Sequence, residues 1–138
     1  LLLLGQGKHR SETERLVTEL SLEDKVIFLG FRDNPFPYIK NAQFKILTSD
    51  WEGFALVIAE ALVLGTPVIS TNCPSGPSEL LPEHNLMPMG DIDAIAEKMQ
   101  QAMSNPQAFH APFDEALLPV KIAEKYVEFA EQVNIMHK

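Results

Sequence analysis

The passage from Gln43 to Thr71 restricts the fold more than any other part of the chain. Gln43–Thr48 is an apolar run of strand length, with Phe44, Ile46 and Leu47 interrupted by Lys45, whereas Phe54–Leu64 is apolar, too long for a strand and rich in helix formers. Gly65 then ends the helix, and Pro67 opens a second strand, Val68–Thr71, at a position where it need not donate to a ladder. Strand, helix and strand in that order form a crossover unit, which joins parallel neighbours.

The same alternation continues on both sides. Leu1–Leu4 reads as a buried strand ending in Gly5-Gln6-Gly7, and Val26–Leu29 as another, broken by Gly30. Between them, Ser11-Glu12-Thr13-Glu14 has the pattern of a capping box, with Ser11 as N-cap, Glu14 at N3, and Leu16, Val17 and Leu20 on the apolar face of the helix that follows. Asn34-Pro35 reads as the N-cap and first position of a short helix limited by Pro37 and packed down by Tyr38 and Ile39. Further on, Pro77–Leu81 is a helical turn and Leu86-Met87 an edge strand. Asp91 N-caps an amphipathic helix with Ile92, Ile95, Ala96, Met99 and Met103 on one face, stopped by Asn105-Pro106. Residues 107–119 read as a linker, and Val120–Met136 as a last helix with Ile122, Tyr126, Phe129 and Val133 at helical spacing. The expected fold class is α/β: a Rossmann-like parallel sheet with helices on both faces.

Composition narrows the function classes. At 138 residues and 46% hydrophobic, the chain has enough material for one domain with a core. It contains no apolar run of about 18 residues, so no transmembrane segment is expected, and Leu1–Leu4 is too short for a signal sequence. With no initiator Met and an opening in mid-strand, it is expected to be a piece of a longer protein. A net charge of −8 speaks against a nucleic-acid partner and against adhesion to anionic lipid. The single Cys73 excludes an internal disulfide, fits a reducing compartment, and has no His near it in sequence, so it reads as packing. His9, His84, His110 and His137 have no second ligand at metal spacing, and no bound metal is expected.

Chemistry concentrates in Ser49–Glu60. Ser49–Gly53 is the turn from strand to helix, where Gly53 can take a tight turn and the first helical N–H groups, lacking intrahelical partners, suit a phosphate. Glu52 precedes the helix, and Glu60 lies inside an otherwise wholly apolar run, where a charge needs a reason. Seven residues separate them, roughly 12 Å along a helix. That is too far for two carboxylates that share one scissile bond, about 5 to 9.5 Å apart in glycosidases. A ligand with hydroxyl-rich groups at both ends and a phosphate between them fits better, and a nucleotide-sugar is such a molecule.

Other candidates sit where strands end. Gly5 and Gly7 serve either a tight turn or a direct ligand role; a dinucleotide fingerprint would need a third glycine where this chain has Arg10. Phe31 and Arg32 leave the carboxyl end of a strand, where open α/β sheets bind ligands. There they either stack on a base or serve as core and solvated residues. The 71–78 loop, with Ser75 and Gly76, leaves the end of the next strand.

S-x-x-E-G-F at Ser49–Phe54, the Glu52/Glu60 spacing, and A-L-x-x-G-x-P-V-I at Ala61–Ile69 resemble the donor-site signature of the retaining glycosyltransferases of family 4, which have the GT-B fold. L-x-G-x-G at Leu3–Gly7, V-x-F-x-G at Val26–Gly30, Asn34-Pro35, and C-P-S-G-P-x-E at Cys73–Glu79 extend the resemblance over residues 1–104. It implies the donor-binding C-terminal half of an enzyme that moves a hexose-type sugar from a UDP- or GDP-sugar to a glycan or lipid-linked acceptor with retention. Glu52 would be the catalytic candidate, holding hydroxyls of the transferred sugar. Glu60 would accept from the ribose diol, and the amides of Gly53, Phe54 and Ala55 would meet sugar or diphosphate. Ala55 stands where the family often has Gly or Pro, which puts a methyl against the ligand. Phe31 and Arg32 would lie near the base.

The resemblance also implies that no cofactor is needed, the donor being a substrate. An Arg and a Lys that stabilise the leaving diphosphate, and the acceptor domain, would lie upstream of Leu1, so this piece alone should be inactive. A cytoplasmic location is implied, with any contact at the inner membrane peripheral and through that domain. D-W-E-G-F and C-P-S-G-P resemble bacterial enzymes that build lipopolysaccharide or other surface polysaccharides. The alternatives are a non-catalytic Rossmann-like domain for another phosphorylated ligand, which leaves Glu60 unexplained, and an inactive scaffold descended from a transferase, against which the intact Glu pair argues.

Overall fold

The computed structural model describes residues 1–136, so His137 lies outside the described residues. The chain forms two compact units, Leu1–Tyr38 and the part from Ile39 onward.

In the first unit, β1 (Leu2–Leu4) pairs in parallel with β2 (Ile27–Gly30), and α1 (Arg10–Glu19) connects them. These strands are less buried than expected: Leu2, Leu4 and Ile27 are exposed and Leu3 is half-buried. A two-stranded ladder with one short helix has too little apolar surface to cover both faces, and of α1 only Val17 is buried, not Leu16 or Leu20. The capping box is also absent. The helix starts one residue before Ser11 with His9 as N-cap, and the Glu14 carboxylate accepts from Arg10 Nε at 2.7 Å instead. The charged i,i+4 pair takes the carboxylate that the box required. α2 (Phe36–Lys40) starts one residue later than expected, leaving Pro35 before its first position, and Asn34 Oδ1 accepts from that first amide, Phe36 N, at 3.2 Å.

The second unit is built on β3 (Lys45–Leu47), β4 (Val68–Thr71) and β5 (Leu86–Met87), all parallel in the order β3-β4-β5. β3 is shorter than the Gln43–Thr48 run that announces it, whereas β4 and β5 have the bounds read from the sequence. The central crossover is present: β3, α3 (Leu56–Val63), then β4. Gly65 ends α3 with φ +74°, a left-handed turn in which Gly65 N bonds Leu62 O and Thr66 N bonds Ala61 O.

β4 is buried along its whole length and separates two apolar clusters. Val68 joins Ile58, Ala61 and Leu62 of α3, and Leu47 of β3 packs on the same cluster. Ile69 joins Ala102 of α5 (Ile92–Ser104), Phe109 and, from β3, Ile46. Adjacent strand residues face opposite ways, so α3 and α5 cover opposite faces of the ladder. Asp91 caps α5 as expected, its Oδ1 accepting from Ala94 N at 2.9 Å. The helix is rolled from the expected face, though: Ile92, Ala96 and Met103 are exposed, while Ile95, Met99 and Ala102 turn inward. Lys98 takes part in the inward side, its Nζ 5.7 Å over the Phe109 ring and bonded to His84 O.

After α4 (Pro77–Leu80), a 3-10 turn at Glu83–Asn85 leads into β5. Asn85 is fully buried and ties that turn to β4 and to the Pro106–Phe109 turn, its Nδ2 donating to Val68 O and Phe109 O at 2.7 Å each. The stretch 107–119 carries 3-10 turns at Pro106–Phe109 and Glu115–Leu117 and buries Phe109 and Ala111. α6 (Pro119–Met136) follows. Cys73 is buried, in keeping with a packing role.

Candidate functional site

Beyond Leu47 the β3–β4 ladder stops, and the chain turns through Thr48–Ala55 into α3. Side chains take over from the ladder at this point: the Thr71 hydroxyl, at the end of β4, donates to Ser49 O at 2.6 Å. Ser49 Oγ in turn donates to Glu52 Oε1 at 2.6 Å, within the range of a charge-assisted O–H···O⁻ bond. Glu52 is half-buried and held at the mouth of the turn. Ser49 therefore does more than mark the S-x-x-E pattern, a role that the three-residue spacing alone does not disclose.

The helix starts two residues later than the apolar run suggests. Ala55 is the N-cap in the left-handed region, φ 54° and ψ 50°, and Ile58 N bonds its carbonyl at 2.8 Å. The amides of Leu56 and Val57 thus precede the first intrahelical bond. The positive φ falls on Ala55 and not on Gly53, reversing the expected division of labour. Gly53 has nothing within 4 Å of where a Cβ would stand, so its missing side chain leaves that side of the turn open. The Ala55 methyl does not project outward: the residue is 3% exposed and packs on Gly76, where an added Cβ would come within 3.1 Å of it. The left-handed twist swings it into the 71–78 loop. In that loop Ser75 and Gly76 both have positive φ, and Gly76 N donates to the Glu79 carboxylate at 3.3 Å while Glu79 N donates to Gly76 O at 3.1 Å. The second unit so brings Glu52, Gly53, Phe54, Ala55, Ser75 and Gly76 together.

Glu60 sits half-buried in α3. Its charge is felt by Lys45, which the register places on the β3 face shared by Leu47 and Val68, the face that α3 covers. Burial holds the Lys45 ammonium below the usual lysine range, and the negative charge of Glu60 opposes part of that fall. In the sequence Lys45 is only an interruption in an apolar run; its closeness to Glu60 depends on helix packing.

The remaining candidates belong to the first unit. Gly5 has φ +118° and its N–H bonds Gly30 O at 2.9 Å, so the turn alone requires it, whereas neither a positive φ nor a neighbour within 4 Å accounts for Gly7. Both line a cavity of about 310 Å³ with Arg10, Thr13 and Phe28, the Arg10 guanidinium lying 5.5 Å over the Phe28 ring. Phe31 and Arg32 are exposed, which removes the core alternative for Phe31. Among the described residues, no cluster of His, Cys, Asp and Glu has the make-up of a metal site, and no helix is long and apolar enough to cross a membrane.

The family described as Glycosyl transferases group 1 matches residues 1–117. An uncharacterised glycosyltransferase of Methanocaldococcus jannaschii is 40% identical over 87 residues, covering 62% of this chain and 21% of that protein. An O-antigen biosynthesis glycosyltransferase of Escherichia coli is 30% identical over 130 residues, 91% of this chain and 36% of that one. Among solved structures, HepE of Anabaena in complex with UDP-glucose superposes with a TM-score of 0.75 at 26% identity, over 92% of this chain and 40% of that one. The chain thus spans well under half the length of these proteins, and its α/β fold of parallel strands is that of GT-B glycosyltransferases. It belongs to the glycosyl transferases group 1 family.

Proposed function

We propose that this chain is the nucleotide-sugar-binding part of a retaining, family 4 glycosyltransferase that moves a hexose-type sugar from a UDP- or GDP-sugar to a glycan or lipid-linked acceptor of a bacterial surface polysaccharide. The observation that carries the reading is the arrangement about α3: one half-buried carboxylate, Glu52, held at the mouth of the turn, a second, Glu60, on the helix itself, and unpaired helical amides between them. Glu52 meets the transferred sugar, Glu60 the ribose diol, and the N-terminal amides of α3 the diphosphate. The similarity to HepE, whose structure contains UDP-glucose, supports a nucleotide-sugar donor.

In the transfer, the bond from the anomeric carbon to the diphosphate breaks, and negative charge grows on the departing oxygen as the sugar becomes oxocarbenium-like. Stabilising that charge is the main demand. The α3 amides supply part of it, and the cations and acceptor site come from outside this chain. The donor is a substrate, so the reaction needs no cofactor from these residues. Such an enzyme works in the cytoplasm, with any membrane contact through its other domain.

The test is calorimetric titration of the intact protein and its Glu60→Ala variant with UDP and GDP. Each charge-assisted bond to a ribose hydroxyl contributes about 1.5 to 3 kcal/mol, so losing one weakens binding roughly 10- to 150-fold. Unchanged affinity for both nucleotides would remove Glu60 from the site and end this reading of α3.

A further inference from the structure

We infer that Ser49 and Thr71 are positioning residues for Glu52, a relay that fixes the orientation in which its carboxylate meets the donor sugar; this rests on the donor-site reading above. An ionised carboxylate offers two oxygens and about four acceptor directions. Here one acceptor direction of Oε1 is taken by Ser49 Oγ at 2.6 Å. Ser49 lies past the last residue of β3, where no backbone ladder fixes it, and its carbonyl is instead held at 2.6 Å by the Thr71 hydroxyl. Thr71 is 1% exposed and closes β4, the central strand, with its backbone paired to Met87. Buried strand, hydroxyl, carbonyl, hydroxyl and carboxylate therefore form one chain of contacts, and the rigid end is the sheet. Glu52 is only half-buried, and without the relay its side chain would sample several rotamers. With the relay in place, Oε2 keeps both of its acceptor directions and Oε1 keeps one, all held in one orientation, so Glu52 meets the sugar hydroxyls with a fixed carboxylate plane.

The readout is the sugar increment, the ratio of the Kd for nucleoside diphosphate to the Kd for its sugar conjugate. It is measured by calorimetry on the intact protein with UDP, GDP, UDP-glucose, UDP-galactose, UDP-N-acetylglucosamine and GDP-mannose, using whichever conjugate wild type binds most tightly. Ser49→Ala should lower the increment by about 10-fold, as misplacement of a contact group does, while the Kd for the bare diphosphate stays within about 2-fold. Ser49→Thr, which keeps the hydroxyl, should retain it. Thr71→Val should lower the increment and Thr71→Ser preserve it; if the valine variant does not fold, the two Ser49 variants decide. Adding Ser49→Ala to Glu52→Gln should bring little further loss, because both act on one contact. If Glu52→Gln lowers the increment and Ser49→Ala does not, the relay is refuted while the donor-site reading stands. Equal weakening of diphosphate and conjugate by Ser49→Ala would also refute it, since that marks a general disturbance. If Glu52→Gln itself leaves the increment unchanged, the role given to Glu52 falls first and the relay with it.

Discussion

Replacing Gly76 with alanine is the most exacting test of how the two loops of the second unit meet. Gly76 has φ +77° and ψ −71°, a γ-turn conformation that is rare and strained for residues with a Cβ. Holding alanine there costs about 1–3 kcal/mol. The new methyl would also stand 3.1 Å from Ala55 Cβ, 3.1 Å from the Phe54 carbonyl carbon and 3.3 Å from Ala55 N. Two of those three atoms are backbone and cannot swing aside, so relief requires moving the turn, at about 1–3 kcal/mol more. Alanine stiffens the unfolded chain and returns about 0.4–1 kcal/mol. The net loss is roughly 1.5–5 kcal/mol. For a unit of this size each kcal/mol lowers the melting temperature by about 4 °C or more, so a fall of at least about 6 °C is expected in calorimetry and a matching shift in urea midpoint. Adding Ala55→Gly removes one of the three contacts and relieves the left-handed strain at position 55, so it should recover part of the loss and not all of it. A Gly76→Ala protein that melts within about 2 °C of wild type would show that the close approach imposes no constraint, and the packing of Ala55 on this loop would lose its meaning.

Three further expectations follow from the same geometry. Lys45 has its pKa lowered by burial, with Glu60 pulling it back up, so just below the usual lysine range the unfolded chain binds a proton that the folded chain does not, and stability from this group rises with pH there. The melting temperature of wild type minus that of Lys45→Met should therefore grow as pH climbs from 7 towards about 10.4, and a constant difference would contradict the burial argument. Asn85→Ala strips two buried carbonyls, Val68 O and Phe109 O, of their donor and should cost about 2–4 kcal/mol in urea unfolding; less than about 1 kcal/mol would mean those carbonyls find other partners. The 138-residue chain on its own should transfer no sugar from any nucleotide-sugar, and radiolabel transfer to any glycan acceptor would show that the reaction needs nothing beyond these residues.

What the sequence disclosed and what it withheld divide along the range of the interactions. Asp91 and Asn34 accept from amides two or three residues away, Gly65 ends α3 through its own φ, and Pro67 precedes a strand because it lacks an N–H; each is a local matter and legible from type and spacing. At Ser11 local pattern misled because a competing local pair, Arg10 with Glu14, took the carboxylate. The face of α5 was misjudged because periodicity fixes a stripe of possible contacts but not which of two adjacent stripes the sheet selects. In the candidate site, Glu52 and Glu60 stand out by residue type and spacing, whereas their settings do not. The partner of Ser49 lies 22 residues away at Thr71, the charge of Glu60 reaches Lys45 only through strand register and helix packing, and the left-handed residue of the turn is the alanine that Gly76 covers, not the glycine two residues before it.

The opposed clusters on β4 bear on how such a protein diversifies. Val68 belongs with α3 and the turn that carries Glu52, Ile69 with α5 and Phe109, and the backbone of one strand keeps the two sets apart. Substitutions on the two sides share few neighbours, so their effects on stability should add rather than compound. A lineage can therefore resize Met99, Ala102 or Phe109 step by step without disturbing the geometry around α3, and stabilising changes accumulated on that side offset the cost of new residues on the other.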